Sequence, residues 1–295
     1  VSFTPADARE LHRRLADWWG SAGAQLWHSV ADAYARSEGD AGYFFQVDPP
    51  VEQRRLQAAE TFLVTAEMAA VCRVAGRSLP ELRVTTDLLP ASCGVLLFDD
   101  DLAGHDPAIV QSKLVTWGPA AYGGKPGVAV ASYLLPGQRV PSDDGQADLA
   151  AAIARVFADI RGPALPSLWT FLPYGVEIPA EAVSDQHLEH LVRMVLASWL
   201  LMGQPLAARD RPVLNRADTK RATRSGLTGA LTVVMLRYQP TAPEGPSGRV
   251  YHRRWLVRGH WRRLPSGRPT WVHEHVKGPA GAPLVLTDKV TVLAR

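Results

Sequence analysis

The segment LVTWGPAAYGGKPGVAVASYLLP, residues 114–136, decides the fold class. Its two ends, LVTWG and GVAVASYLLP, are short runs rich in β-branched and aromatic residues and bounded by glycine and proline, which is the pattern of strands. The glycine pair between them lacks the GxxxxGK[ST] spacing of a phosphate-binding loop, so Gly123-Gly124 reads as a hairpin turn. Upstream, the change of pattern begins at Leu79-Pro80, and LRVTTDLLP and CGVLLFDDD also look like strands. Downstream, GALTVVMLRYQP and the pair YHRRWLVRGHWRR and RPTWVHEHVKG, joined by LPSG, continue the β character. LVLTDKVTVLAR then closes the chain.

Helices flank these strands on both sides. Thr4-Pro5-Ala6-Asp7 supplies a hydroxyl cap, a proline at the first helical position and an acid in the first turn. Leu11, Leu15, Trp18 and Trp19 follow at helical spacing, with Gly20 and Gly23 as an interruption before AQLWHSVADAYARS. The stretch VEQRRLQAAETFLVTAEMAAVCRVAG carries Leu56, Phe62, Leu63, Ala66 and Ala70 on one side and ends at Gly76, so it reads as one helix. After the loop PSDDGQ, ADLAAAIARVFADIRG is amphipathic. GPALPSLWTFLPYG reads as a proline-rich connection. SDQHLEHLVRMVLASWLLMGQP is the strongest helix, capped by Ser184 and stopped by Gly203 and Pro205. From Leu206 to Thr228 the chain is polar and basic and reads as a loop, and TAPEGPSG as a long turn. Helices, strands, helices, strands in that order imply an α+β protein: a helical N-terminal region, a mixed or antiparallel central sheet with packed helices, and a basic β-rich C-terminal region. The divisions fall at 1–78, 79–205 and 206–295, the last two forming one compact unit.

The 295 residues allow a substantial core, and the apolar and charged fractions are those of a globular protein. No apolar run reaches membrane-spanning length, and VSFTPADARELHRR has no signal-peptide pattern, so a cytoplasmic location without membrane contact is expected. Cys72 and Cys93 sit in apolar surroundings and read as free thiols. Abundant arginine and alanine point to a GC-rich, actinobacterial-type genome. The net charge of +3 conceals an asymmetry: from Pro205 onward seventeen lysines and arginines face five acids, about +12, leaving about −9 for the first 204 residues. A face so basic attracts phosphate backbones or acidic protein surfaces.

The densest chemistry lies in RRWLVRGHWRRLPSGRPTWVHEHVKGP, residues 253–279, with six arginines, three histidines and three tryptophans. Alternation along an unbroken strand places Arg254, Leu256, Arg258, His260 and Arg262 on one face, and Trp271, His273 and His275 on one face of the next. Pairing through LPSG would then bring the three histidines near Arg258 and Arg262. Three readings stand side by side. The imidazoles could hold a transition metal. His260 or His275 could serve as general base or acid beside Arg258 or Arg262, a metal-independent ribonuclease centred on His260 and Arg258. The face could instead bind without catalysis, or stay solvated with arginines stacked on Trp255, Trp261 and Trp271. Binding without catalysis, metal or cofactor is the expected outcome. Asp99, Asp100 and Asp101 could hold a divalent cation or simply end a strand. No GxSxG, no HExxH and no nucleophile with an evident base is present, so a common hydrolase is not supported.

Arg258-Gly259-His260-Trp261, followed by Arg268 and Trp271, resembles the signature of the type V-A anti-CRISPR-related family found on phages, plasmids and bacterial chromosomes. DLLPASCGVLLFD, HLVRMVLASWLLMGQP and RYQP extend the resemblance through most of the chain in order, and the RGHW block is its specific element. The resemblance implies a binding protein of mobile-element and phage-defence conflict. Such a protein recognises a nascent polypeptide or ribosome-associated complex and lowers expression of the translated mRNA, with the basic region facing RNA. The residues it points to are Arg254, Arg258, His260, Trp261, Arg262, Arg268 and Trp271. His273 and His275 have no counterpart in the family pattern and join the candidate surface by their position alone.

Overall fold

In the computed structural model, residues 2–38, 48–100, 112–135, 162–178, 186–237, 252–265, 267–279 and 281–285 are described. The expected helix over ADLAAAIARVFADIRG, the PSDDGQ loop, the TAPEGPSG turn, Ser184, Asp101 and the chain beyond Val285 lie outside them. The chain divides into two units, Val1–Arg237 and Tyr238–Arg295.

The first unit opens with α1 (Pro5–Trp19), α2 (Ala22–Glu38) and α3 (Pro49–Ala58). Thr4 caps α1 as its sequence predicts, and Asp7 reaches back to the Thr4 amide, which makes the cap a reciprocal capping box. The stretch after α3 departs from its expected helix. It contains β1 (Glu60–Val64), and only then α4 (Ala66–Arg77). Thr61 to Val64 are buried on both faces, and an apolar run closed on both sides carries no alternation to set it apart from a buried helix. The chain continues through β2 (Leu82–Arg83), β3 (Gly94–Phe98), β4 (Leu114–Tyr122), β5 (Lys125–Leu134), β6 (Leu165–Pro173) and β7 (Glu177–Ile178). It then forms α5 (Gln186–Met202), β8 (Ala207–Asp210), α6 (Arg216–Arg224) and β9 (Leu231–Leu236).

Among the described residues one seven-stranded sheet runs in the order β6-β5-β4-β3-β1-β9-β8. It is mixed: β1 is parallel to both β3 and β9, and the other pairs are antiparallel. The unit is therefore α+β with a mixed central sheet and packed helices. The β4–β5 turn at Gly123-Gly124 has φ of 56° and 75°, a left-handed backbone that glycine adopts without strain. The segment read as a proline-rich connection is β6, at the sheet's edge. Pro166 and Pro173 are tolerated there because one side of an edge strand needs no donors. The basic stretch 206–228 is likewise ordered, as the opposite edge β8 followed by α6. None of the described helices is long and apolar enough to cross a membrane.

The two sheet faces differ in kind. On one, Phe62 stacks on Trp117 at 5.7 Å and Trp117 meets Trp199 of α5 at 5.3 Å, an apolar layer shared with α4. On the other, Leu63, Val95, Leu97, Leu114 and Tyr133 pack beneath Leu15, Trp18, Trp19, Trp27 and Leu56. This second layer also buries polar groups. The His12 imidazole lies 2.7 Å from both the Thr61 hydroxyl and the Leu56 carbonyl, and Arg9 donates to the same hydroxyl at 3.2 Å. A carbonyl only accepts, so Nε2–H of His12 donates to Leu56 and Nδ1 accepts from Thr61. Glu52, fully buried on α3, pairs with Arg55 at 2.8 Å and lies beneath the Thr116 and Tyr133 hydroxyls at 3.5 and 3.4 Å.

The second unit is a small β structure. Its strands are β10 (Arg254–Val257), β11 (His260–Arg263), β12 (Pro269–Val272), β13 (His275–Lys277) and β14 (Leu284–Val285). They form a three-stranded sheet β13-β10-β14 and a separate pair β11-β12. The expected grouping, 1–78 apart and 79–295 as one unit, differs from the observed division at 237: the N-terminal helices pack on the large sheet, β8 and β9 complete it, and the chain from Tyr238 forms a unit of its own.

Candidate nucleic-acid interface

The strand expected to run unbroken through RRWLVRGHWRR is cut at Arg258-Gly259 into β10 and β11, which belong to different sheets. Packing explains the break. A side-chain carbon at Gly259 would stand 2.5 Å from the Trp271 ring. Trp271 is buried and meets Trp261 edge-on at 5.3 Å. Two members of the Arg258–Trp261 block thus serve the unit's own core: Gly259 yields space, and Trp261 closes on Trp271. Gly259→Ala is expected to destabilise this unit by about 1–3 kcal/mol, the usual cost of overpacking. Amide hydrogen exchange along 254–277 should quicken while the large unit keeps its protection; unchanged exchange would contradict the packing argument.

Register fixes which side chains share a face. Trp261 opposes Trp271 and Arg263 opposes Pro269 on one side of the β11–β12 pair; His260 opposes Val272 and Arg262 opposes Thr270 on the other. The expected coincidence of the histidine-bearing faces is therefore absent. Trp271, from which the face of His273 and His275 was counted, turns toward Trp261 and away from His260. His273 and Glu274 fall between strands, and His275 sits opposite Val257 in the other sheet. Among the described residues no group of three or more His, Cys, Asp or Glu side chains is placed to hold a metal ion.

Each of the three imidazoles is nevertheless fixed in the same way. His260 Nδ1 lies 3.0 Å from the Arg258 carbonyl, His273 Nδ1 2.9 Å from that of Glu274, and His275 Nδ1 3.0 Å from that of His273. In every case Nδ1–H donates, which leaves Nε2 as an acceptor. His260 and His273 are exposed and His275 is half-buried.

Arg253, Arg258, Arg262 and Arg268 are exposed, and among the described residues none of them pairs with a carboxylate. The described part of this unit carries seven arginines and lysines against a single acid, Glu274. Two of the expected binding residues are placed otherwise. Arg254 is half-buried and donates to the Ala282 carbonyl at 2.7 Å, bracing β10. Trp271 is buried, so it offers no open face for stacking. Arg258, His260, Arg262, Arg268 and the edge of Trp261 remain outward, joined by Arg253.

The acidic run at the end of β3 has a structural use. Asp99 accepts from the Ser2 hydroxyl at 2.8 Å and from the Phe3 amide at 2.6 Å, tying down the N-terminus, and Asp100 pairs with Arg73 at 2.8 Å. Cys72 is buried against α5, where burial pushes its thiol up to about 11, and Cys93 is half-buried; both are free. A thiol so displaced is unreactive. Comparison with protein-family models, with curated proteins and with solved structures gives no match to this chain.

Proposed function

We propose that this protein binds RNA through its C-terminal unit and acts on translating complexes. In this reading it recognises a nascent polypeptide or its mRNA and lowers expression of that message. The observation that carries the reading is the set of outward guanidinium groups, Arg253, Arg258, Arg262 and Arg268, which have no carboxylate partner among the described residues, on a unit with one described acid. Guanidinium groups engage phosphates by paired donors, and each contact releases counterions. The fixed imidazoles add acceptors at Nε2 that can meet base or ribose donors. The resemblance of Arg258–Trp261 to the type V-A anti-CRISPR-related family supplies the link to nascent chains and mobile-element conflict.

The test uses the full chain and a labelled unstructured RNA over a salt series. Replacing Arg258, Arg262 and Arg268 by alanine together is expected to weaken binding and lower the slope of log K against log salt by about 2, at roughly 0.7 per lost phosphate contact on a single strand. The RNA is expected to stay intact. Cleavage that His260→Ala abolishes would replace this reading with the ribonuclease one, and binding unchanged by the triple replacement would end the proposal. RNA and peptides recovered with the protein from translating cells would identify the target.

A further inference from the structure

The basic stretch between β8 and β9 is not absorbed by the C-terminal reading. Its ordered part is α6, RADTKRATR, held at its start by Asn215, whose side-chain oxygen accepts from the Asp218 amide at 2.9 Å. Around this helix the charges are sorted. Ala222 is buried and marks the inward face. Asp218, the helix's one acid, is engaged by Asn215 at 2.7 Å and by Arg221. Glu10 of α1 is held below its ordinary value chiefly by its hydrogen bonds from Arg13, with a smaller contribution from the charge of Arg221. Arg221 and Asp218 thus satisfy one another, and Glu10 is taken up by Arg13.

Arg216, Lys220 and Arg224 stand in an i, i+4, i+8 row. At 100° per residue Lys220 lies about 160° around the helix from Ala222, with Arg216 and Arg224 at its flanks. All three are exposed, and among the described residues none has a carboxylate partner. Like charges at this spacing repel and weaken the helix that carries them. A surface chosen for stability alone would alternate signs, as α1 does where Arg13 is clasped by Glu10 and Asp17 at 2.7 and 2.5 Å. Arg211, exposed just before the helix, adds a further cation at the same end of the segment.

We propose that the Arg216–Lys220–Arg224 row of α6 is a second polyanion contact, on the large unit, that runs along the backbone of an RNA strand. The helix rises about 6 Å over four residues, which is comparable to the interval between consecutive phosphates of an extended strand. The row therefore offers one cation to each of three successive phosphates, and a rigid helix presents them without the ordering that a loop would require. No base is read, so the contact adds affinity and leaves sequence preference to other elements. The proposal rests on RNA being the partner class and is separable from the C-terminal reading because the residues belong to different units.

The experiment measures binding of the full chain to a labelled unstructured RNA at several salt concentrations, for wild type, for the joint replacement of Arg216, Lys220 and Arg224 by alanine, and for the charge-preserving Arg216→Lys with Arg224→Lys. The alanine variant is expected to bind at least tenfold more weakly at low salt, with the salt slope lower by about 2. The lysine variant is expected to retain the wild-type slope. Unchanged affinity and slope in the alanine variant overturn the proposal, and the C-terminal reading then stands or falls on its own triple variant. Loss in the alanine variant with no loss in the C-terminal one supports the α6 contact and overturns the other. Absence of RNA binding by the wild type overturns both. Vesicles of phosphatidylcholine and phosphatidylserine form the second arm: binding to them that the alanine replacements remove, with RNA binding untouched, assigns the row to membranes and overturns the proposal.

Discussion

Arg55→Met is expected to destabilise the large unit by about 3–5 kcal/mol near neutral pH, the cost of leaving one member of a buried ion pair without the other. Glu52 is wholly inaccessible, and its Oε2 lies 2.8 Å from the Arg55 guanidinium. The hydroxyls above it, at 3.4 and 3.5 Å, are too distant to replace that cation. The stem of Arg55 lies against Gly118, where no side chain would fit, and methionine preserves that packing. Burial already pushes the Glu52 carboxyl up from 4.5 while Arg55 holds it down. Its removal lifts the group further. A carboxyl raised in the folded state favours the fold below its unfolded value and loses that contribution as pH rises through the folded one. The damage should therefore be greater at pH 8 than at pH 5 in urea unfolding. Adding Glu52→Gln to the same chain should restore most of the loss, since the uncompensated charge is then gone. A loss below about 1 kcal/mol at both pH values would show that the pair carries little.

The α+β class, the capped start of α1, the β4–β5 hairpin and the apolar core of α5 were legible because each rests on local chemistry: a hydroxyl cap, a glycine pair, a 3.6-residue period. β1 was not. Thr61-Phe62-Leu63-Val64 is enclosed by helices on both faces, so the two-residue alternation that marks a strand is erased, and its apolar residues merge with the period of the neighbouring helices. β6 was hidden by Pro166 and Pro173, whose meaning depends on edge position, a tertiary fact. The candidate interface shows the same division. The cationic excess could be counted, but the face of each residue could not, because one glycine breaks the strand for the sake of a tryptophan twelve positions later. Gly259 and Trp271 are joined only by the folded hairpin. The polar cluster under the sheet gave no signal either: His12, Glu52 and Thr61 are distant in sequence, and nothing in α1 or α3 distinguishes a buried imidazole or carboxylate from a solvated one.

His12 leads to the second large effect. Burial holds its imidazole down to about 3, against an ordinary 6.5, and the nearby Arg9 charge acts in the same direction. A group that must stay neutral in the fold but takes a proton in the open chain makes stability fall as pH drops from 6.5 toward 3. Each pH unit in that window removes up to about 1.4 kcal/mol, so the full span approaches roughly 5 kcal/mol. Glu52 works in the opposite sense above 4.5, and the two partly cancel in the intact protein. The measurable quantity is therefore a difference. The unfolding free energy of wild type minus that of His12→Gln is expected to rise with pH between about 3 and 6.5 and to level off above. Glutamine can donate to the Leu56 carbonyl but takes no proton, so the variant keeps one buried bond and lacks the titration. Between pH 5 and 6.5 the difference should grow by about 1.6 kcal/mol, above the range where Asp7 and Glu10, both lowered by hydrogen bonds, begin to titrate. A difference constant across that interval would mean that the imidazole is not held neutral in the fold, and that the Thr61 and Leu56 bonds do not fix its protonation.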